Sequence, residues 1–394
     1  RADWGEMRMM PTDIEDVHGY TPLINGQHPG EPFVAEFKPK ERIRLRFINS
    51  SAMTYFDVRI PGLDMTVVQA DGNNVLPVKV EEFRIGVAET YDVIVEPKER
   101  RPFAFVAESI DRSGQVVATL GPKPGMRASE PKLRPVPVLT MKDMGMDHSQ
   151  MSGMDHGSMD DMGSAAPSGM DHSQMGHGQQ GHDMSGMEHG AMDHASMGHG
   201  SMMHGPNPNG PPVQLAKVEA DIEVGAGVVN VAAMPVGRLD APGIGLSNLP
   251  HRVLRYSQLR SLEPNPDTRN PGREVVVHLT SNMERYMWSF DGIKFSEVTE
   301  SIKFMEGERV RLTLVNNTMM PHPIHLHGMF FDVVNGGGNH KPRKHTIIVK
   351  PGEKLSVDVS AEHVGDWAFH CHLMYHMHAG MMQVVTVLPN PNAS

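Results

Sequence analysis

Residues 37–49 read FKPKERIRLRFIN, and residues 304–316 repeat the pattern as FMEGERVRLTLVN. Each segment alternates polar and apolar residues over its last eight positions, which predicts a β-strand with one buried face. A second pair of segments, PFAFVAE (102–108) and DWAFHCH (366–372), also aligns. The offsets of the two alignments, 267 and 264 residues, are nearly equal. The chain therefore carries two predicted copies of one β-sandwich.

Composition divides the 394 residues into three zones, at 1–139, 140–212 and 213–394. The outer zones have many short strand-like runs separated by Gly, Pro, Asn and Asp, a pattern typical of antiparallel sandwiches. Helix signals are few, and the best short candidate is His251–Leu262. We expect an all-β protein with two sandwich domains joined by the middle zone.

The middle zone is of low complexity, with 15 Met and 9 His among segments such as MDHSQMSGMDHG. It contains no aromatic residue, so it cannot bury enough apolar surface to fold, and we expect a disordered insertion. Thioether and imidazole groups together bind Cu(I). Copper capture is the favoured interpretation, and a plain flexible linker is the alternative.

Charge and hydropathy exclude several classes of protein. The net charge of −11 comes mostly from the middle zone, and the rest offers no basic face for nucleic acid. No apolar run reaches the roughly 18 residues of a membrane helix. The chain starts RADWGEMRMM, without an initiator Met or a secretory h-region. We therefore expect a processed product or a piece of a longer protein.

The segment 369–382, FHCHLMYHMHAGMM, contains the only cysteine of the chain. If its start is a strand, the side chain of Cys371 lies on one face and those of its two histidine neighbours on the other. His376 and Met381 follow five and ten residues after the cysteine, and His322 is a candidate fourth donor. Two imidazoles, a thiolate and an axial thioether form a type 1, or blue, copper site for one-electron transfer.

The opposite face of the same strand predicts a second site. His370 and His372 lie on it, and His325 and His327 form a similar His-x-His pair. Two such pairs suit a multi-copper cluster between domains. Cys371 would then serve one centre while its chain neighbours serve the other, which gives a short electron path.

A structural role competes with metal binding for any single residue, since a lone His is often structural and a buried Cys is often inert core. The joint pattern favours a metal site. The first copy lacks these histidines and the cysteine: the alignment places Tyr55, Val58 and Ile60 opposite His322, His325 and His327, and Val106, Ala107 and Glu108 opposite His370, Cys371 and His372.

The motifs HPIHLHG and HCHLMYHMHAGM resemble the two C-terminal copper signatures of multicopper oxidases. The Met/His-rich insertion resembles the bacterial copper-resistance protein A branch of that family, as do MTYFDVRIPGLDMTVVQADG (53–72) and MERYMWSFDGIKF (283–295). The family fold is three cupredoxin domains, which are Greek-key β-sandwiches. The resemblance implies that residues 1–139 are the second domain and residues 213–394 the third.

The resemblance also implies roles, with copper as the cofactor. Type 1 copper would oxidise Cu(I) or a phenolic substrate, and a three-copper cluster would reduce O₂, with Cys371, His370 and His372 on the electron path. The implied ligands are His322, Cys371, His376 and Met381 for type 1 copper, His325 for type 2, and His327, His370 and His372 for the type 3 pair.

This chain departs from the family pattern because the cluster uses eight histidines and only four are present for that role. We therefore expect a missing N-terminal domain or subunit to complete it, in the periplasm where the family works. Two alternatives stay open. One is a copper-sequestering or electron-transfer protein with a type 1 site alone, and the other is a trimeric enzyme that resembles nitrite reductase.

Overall fold

The computed structural model describes residues 14–140, residue 143 and residues 215–391. These segments belong to one compact unit, and strands dominate it, so the predicted all-β fold is confirmed. Almost all of the Met/His-rich zone, with its predicted disorder and copper capture, lies outside the described residues.

The first sandwich consists of two sheets built from nine strands. One sheet has the order β1-β9-β8-β3-β6, with β1 parallel to β9, and the other has the order β2-β7-β4-β5. The strands are β1 Val34–Glu36, β2 Ile43–Ile48, β3 Phe56–Arg59, β4 Met65–Ala70, β5 Asn73–Val80, β6 Glu82–Ile85, β7 Thr90–Val95, β8 Phe103–Ser109 and β9 Gln115–Gly121.

The second sandwich repeats this arrangement. One sheet has the order β13-β21-β20-β15-β18, and the other runs β10-β11-β14-β19-β16-β17, with β12 paired to β11. The elements are β10 Ala216–Glu219, β11 Arg273–Asn282, β12 Met287–Phe290, β13 Ile302–Met305, β14 Arg309–Asn316, β15 His322–Leu326, β16 Phe331–Val333, β17 Arg343–Lys344, β18 Thr346–Val349, β19 Lys354–Ser360, β20 Gly365–Cys371, helix α1 Met374–His378 and β21 Met382–Leu388.

The helix predicted at His251–Leu262 is wrong, since only Tyr256–Gln258 forms a 3₁₀ turn. The segment lies along the first sandwich, and outside the 3₁₀ turn its backbone groups bond to other parts of the chain. Leu254 N donates to Glu82 O at 2.9 Å, and Arg260 O accepts from Leu76 N at 2.8 Å. Helical hydrogen bonds are therefore replaced by contacts with the neighbouring strands.

An asparagine at equivalent positions closes the corresponding loop in each sandwich. Asn49 Nδ2 donates to Thr54 O at 2.8 Å, and Asn316 Nδ2 donates to Met320 O at 2.8 Å. The spacing is five residues in the first sandwich and four in the second. The second loop is therefore one residue shorter, so the strand that follows it shifts by one position in the alignment.

The strand pairing fixes the corrected equivalence. Phe56 opens β3 opposite Ile85, and His322 opens β15 opposite Val349. The prediction that Tyr55, Val58 and Ile60 stand opposite the three histidines is therefore off by one residue. The structural equivalents of His322, His325 and His327 are Phe56, Arg59 and Pro61. At the cysteine strand the alignment is correct, because Val58 pairs with Ala107 as Ile324 pairs with Cys371.

Apolar side chains form a core that is continuous through both sandwiches. Phe83 and Tyr91 are fully buried in the first, and Trp288 and Phe304 in the second. Among the described residues, no helix is long and apolar enough to cross a membrane. The core includes Ile324 of β15 and both Phe369 and Cys371 of β20.

Candidate metal centres

The structure brings Cys371, His322 and His376 together in the interior of the second sandwich. The strand β15 begins at His322, β20 ends at Cys371, and α1 carries His376. Cys371 Sγ lies 3.5 Å from His322 Nδ1, and the Nδ1 atoms of the two histidines are 3.3 Å apart. All three side chains are fully buried. Their inner atoms therefore converge on one point.

The outer nitrogen of each histidine has a partner of its own. His322 Nε2 hydrogen bonds with Thr318 Oγ1 at 2.7 Å, and His376 Nε2 donates to Asp16 Oδ2 at 3.1 Å. Asp16 is itself held by the hydroxyl of Tyr286, at 2.6 Å. Bonds at the outer nitrogen leave Nδ1 of each ring facing the centre, as they do around metal-bound imidazoles.

Met381 is tied to the same centre through its backbone and is fully buried. Cys371 N donates to Met381 O at 3.0 Å, and Met381 N donates to His376 O at 2.9 Å. The return is made at Gly380, which has φ +125° and whose Cβ would lie 2.6 Å from Trp288 O. Glycine therefore permits this tight turn, since a side chain at this position would clash with the Trp288 carbonyl.

Burial keeps this centre uncharged in the protein alone. It lowers the pKa of His322 well below its ordinary value, and it lowers that of His376 despite the Asp16 carboxylate. It also raises the pKa of the Cys371 thiol. Trp288 stacks on His376 with ring centroids 3.7 Å apart, which excludes water from one side. A bound cation would stabilise the thiolate that burial disfavours.

A second group of histidines lies on the other face of the same strands. His325 and His370 stand opposite each other in the sheet, and His327 Nε2 lies 3.1 Å from His370 Nε2. His372 is close by, with its ring centroid 5.3 Å from that of His370 and 5.7 Å from that of His325. The four histidines predicted for the second site are therefore neighbours.

Backbone carbonyls orient two of these rings. His325 Nδ1 donates to His345 O at 2.6 Å, and His370 Nδ1 donates to Cys371 O at 2.9 Å. Since a carbonyl only accepts, Nδ1 carries the proton in both rings and Nε2 keeps its lone pair. Burial, and then the charge of neighbouring histidines, lowers the pKa of His325 to about 3. These rings therefore stay neutral and able to coordinate a metal.

Within residues 14–140, 143 and 215–391, two groups of His, Cys, Asp or Glu side chains have ligand atoms close enough to share a metal ion. One is His322, Cys371 and His376, and the other is His325, His327 and His370. Adjacent residues of β20 thus belong to different groups, as strand alternation predicts.

Sequence reasoning missed four contributors: Asp16, Trp288, Thr318 and His345. Thr318 lies four residues before the histidine that it bonds, whereas the other three lie 20 or more residues from the histidines that they contact. Asp16 lies 360 residues before the histidine that it bonds. The ring of His345 is 5.4 Å from that of His325, yet the residue stands alone between a lysine and a threonine. Only the folded structure brings them to the centres.

Two models of the multicopper oxidase family match the chain, one at residues 10–121 and the other at residues 268–391. Together they cover more than half of it. The chain belongs to the multicopper oxidase family, whose complete members carry copper of types 1, 2 and 3. Both donor groups fit copper, because thiolate and imidazole are ligands that it prefers.

The chain is similar to Copper resistance protein A of Escherichia coli, with 49% identity over 98% of this chain and 63% of that protein. Similarity to Copper resistance protein A of Pseudomonas syringae pv. tomato is 51%, over 98% and 63% respectively. The predicted family and branch are therefore confirmed. The chain spans less than two thirds of the length of these relatives.

A solved structure of Fet3p, a multicopper oxidase that functions in iron import, superposes with a TM-score of 0.57 at 15% identity. The match covers 97% of this chain and 61% of that one. At this identity the likeness concerns the fold alone, which is that of the cupredoxin-like multicopper oxidases.

Proposed function

We propose that this chain is the C-terminal portion of a multicopper oxidase that acts in copper resistance, in the periplasm. It oxidises Cu(I) or a phenolic substrate at type 1 copper and sends electrons to O₂ at a three-copper cluster. The proposed ligands are His322, Cys371, His376 and Met381 for type 1 copper, His325 for type 2, and His327, His370 and His372 for the type 3 pair.

The donor set at Cys371 supports the type 1 assignment. Copper held by these residues would supply a one-electron acceptor, and the Cys371 thiolate and the Met381 thioether would tune its potential. The protein holds the two imidazoles by Thr318 and Asp16, at 2.7 and 3.1 Å. Both rings are fully buried, and Trp288 stacks on His376 with ring centroids 3.7 Å apart, so the centre is shielded from water.

One observation carries the proposal that two centres are coupled. Cys371 belongs to the first donor group, and its chain neighbour His370 belongs to the second. The His370 ring also donates to the Cys371 carbonyl at 2.9 Å. An electron that enters at the thiolate thus has a path of covalent bonds and one hydrogen bond to the second group.

The second group supplies half of the histidines that the family's cluster uses. We propose that an N-terminal cupredoxin domain or a separate subunit supplies the others. Residues 1–139 then form a cupredoxin-like domain without copper ligands, and 213–394 a domain with a type 1 site and half of the cluster. The insertion at 140–212 serves as a copper-binding linker.

Measurements of copper content and O₂ uptake test the proposal that the protein is an oxidase. The full-length protein, loaded with copper, is expected to show the blue thiolate band and to consume O₂ when Cu(I) or a phenol is added. Changing His325 to Gln removes a cluster ligand, so O₂ uptake should be lost while the blue band persists. A blue band that disappears with this substitution would contradict the separation of the two centres.

A copper-sequestering or electron-transfer protein with a type 1 site alone is the second candidate. It is favoured by the exposure of His327, which leaves the second group open to solvent. This candidate predicts the blue band without O₂ consumption in the full-length protein. O₂ uptake coupled to Cu(I) oxidation excludes it.

A further inference from the structure

Asp71 of the first sandwich reaches into the second. It occupies the turn between β4 and β5 with φ +46°, followed by Gly72 with φ +77°. Its carboxylate is almost completely buried, and Oδ1 accepts a hydrogen bond from Thr90 N at 2.9 Å. The turn therefore holds the carboxylate in a fixed direction, which leaves Oδ2 for other partners.

Oδ2 of Asp71 binds the start of β18. It accepts hydrogen bonds from His345 N at 3.1 Å and Thr346 N at 3.2 Å. The fully buried ammonium of Lys344 lies 2.9 Å away, and it also lies 3.1 Å from Glu89 Oε1. One carboxylate oxygen thus fixes the backbone at two successive residues.

These hydrogen bonds determine the direction of the His345 carbonyl. The N–H of Thr346 and the C=O of His345 belong to the same planar, trans peptide unit, so they point in opposite directions. Since the N–H faces Asp71, the carbonyl faces away, and it accepts the proton of His325 Nδ1 at 2.6 Å. Asp71 and the His325 ring therefore lie on opposite sides of one peptide plane.

We infer that Asp71 is a positioning residue for His325: through the 345–346 peptide it sets which ring nitrogen of His325 carries the proton. With Nδ1 protonated, Nε2 has the free lone pair and faces the other histidines of the cluster. The tautomer itself does not depend on the proposed function, whereas its consequence for copper does. The first sandwich, which has no histidine or cysteine at the equivalent positions, thus orients a donor in the second.

The Thr346 hydroxyl is an alternative hydrogen-bond partner for the His325 ring. Its Oγ1 lies 3.3 Å from His325 Nδ1, and a hydroxyl can donate as well as accept. If the carbonyl turns away, the hydroxyl can donate to Nδ1, and the proton then moves to Nε2. Loss of Asp71 is therefore expected to change the tautomer rather than merely to loosen the ring.

A structural role of Asp71 as counter-ion to Lys344 must be separated from this one. Glu89 provides the matched control, because it faces the same ammonium but does not bond the 345–346 peptide. Glu89→Gln and Asp71→Asn each remove one negative charge beside Lys344. Only Asp71→Asn also disturbs the acceptor of the two backbone N–H groups.

The test is long-range ¹H–¹⁵N NMR of the metal-free chain labelled with ¹⁵N-histidine, with His325 assigned by its loss in His325→Gln. The parent chain and Glu89→Gln are expected to show His325 protonated on Nδ1. In Asp71→Asn the His325 signals should move toward those of the Nε2–H form. Asp71→Gly, which keeps the positive φ and removes both oxygens, should give the same change.

Two results would overturn the inference: a His325 that carries its proton on Nε2 in the parent chain, or one that keeps it on Nδ1 in both Asp71 variants. The parent spectrum decides the first point even if the variants do not fold. In the copper-loaded full-length protein, Asp71→Asn should weaken copper binding at the cluster by about 10- to 100-fold. The blue band should stay unchanged. If the full-length protein proves not to be an oxidase, the NMR result still stands.

Discussion

The two sandwiches share one strand arrangement but carry chemically different side chains at equivalent positions. Where the second sandwich has His325 and His372, the first has Arg59 and Glu108, and these form an ion pair of 2.5 Å. Paired charges are satisfied by each other and close the site. Neutral imidazoles each keep a lone pair free, so the equivalent site in the second sandwich stays open to a metal ion. The same β-positions can therefore serve either stability or metal binding.

The charged network of the first sandwich extends further into its interior. Arg84 binds both oxygens of the buried Asp57, at 2.8 and 3.0 Å, and Arg112 approaches the same carboxylate at 2.7 Å. Burial raises the pKa of Asp57, but the charges of these arginines outweigh it and leave the pKa lowered. Each of these three charges has a partner of opposite sign, and among the described residues of the first sandwich no three His, Cys, Asp or Glu side chains lie close enough to share a metal ion.

The largest expected effect is at the cysteine. Cys371→Ser removes the thiolate, so the blue absorption band of the copper-loaded protein should disappear. Ala107→Ser changes the equivalent position of the first sandwich, and the band should remain. Absorption spectra after titration with Cu(II) measure both. Survival of the band in Cys371→Ser would refute the type 1 assignment.

A second comparison separates stability from metal binding. Arg84→Met leaves Asp57 buried with one arginine fewer, and we expect a loss of about 3 kcal/mol in the free energy of unfolding. The exposed pair of Arg101 and Glu99 provides the control, since Arg101→Met should cost less than about 1 kcal/mol. Urea unfolding measures both, and folded Arg84→Met should still show the blue band. Equal losses would mean that the buried network is not the stabilising element.

The turn at Gly380 should be more sensitive than an open turn. Gly380→Ala meets the Trp288 carbonyl and Lys294 in addition to an unfavourable φ, and it should cost about 1–3 kcal/mol. It should also shift the blue band, because Met381 follows directly. Gly307→Ala, with φ +75° and no heavy atom within 4 Å of the added Cβ, should cost about 1 kcal/mol and leave the band unchanged. An unshifted band in folded Gly380→Ala would argue against Met381 as a ligand.

The last expected effect, the smallest when counted per pH unit, is a pH dependence of the stability of the metal-free chain. The pKa of His325 is lowered to about 3, by burial first, from an ordinary value of 6.5. Below pH 6.5 the unfolded chain binds a proton that the folded chain does not, so stability falls as the pH drops toward 3. In that pH window, the free energy of unfolding of the parent should fall by about 1.4 kcal/mol more per pH unit than that of His325→Gln.

Urea unfolding at pH 7.5, 6.0 and 5.0 compares the two chains. The parent should lose stability more steeply than His325→Gln below pH 6.5, while the two should run parallel above it. Identical slopes throughout the range would mean that this imidazole is protonated equally in the folded and unfolded chains.

Local patterns made much of this molecule predictable from its sequence. Period two identified β2 and β14, and donor spacing around Cys371 identified both donor groups, because strand alternation is a local geometric rule. The predicted alignment of the two copies was wrong by one residue at β3 and β15, because no sequence pattern indicates that the loop after Asn316 is shorter. His345 and Asp16 were missed because their contacts arise from tertiary packing, which spacing along the chain does not encode.

The asparagine that closes the loop in each sandwich has a consequence for protein engineering. Because Asn49 and Asn316 anchor the same loop to the same pair of strands, side chains beyond that anchor can be exchanged between copies as a block. The places where imidazoles would be grafted are Phe56, Arg59, Pro61, Val106 and Glu108, and Ala107 is the place for a thiol. The first sandwich thus offers equivalent backbone positions for two of the four proposed type 1 donors, and Arg134, which also binds Glu108, would have to be neutralised together with that residue.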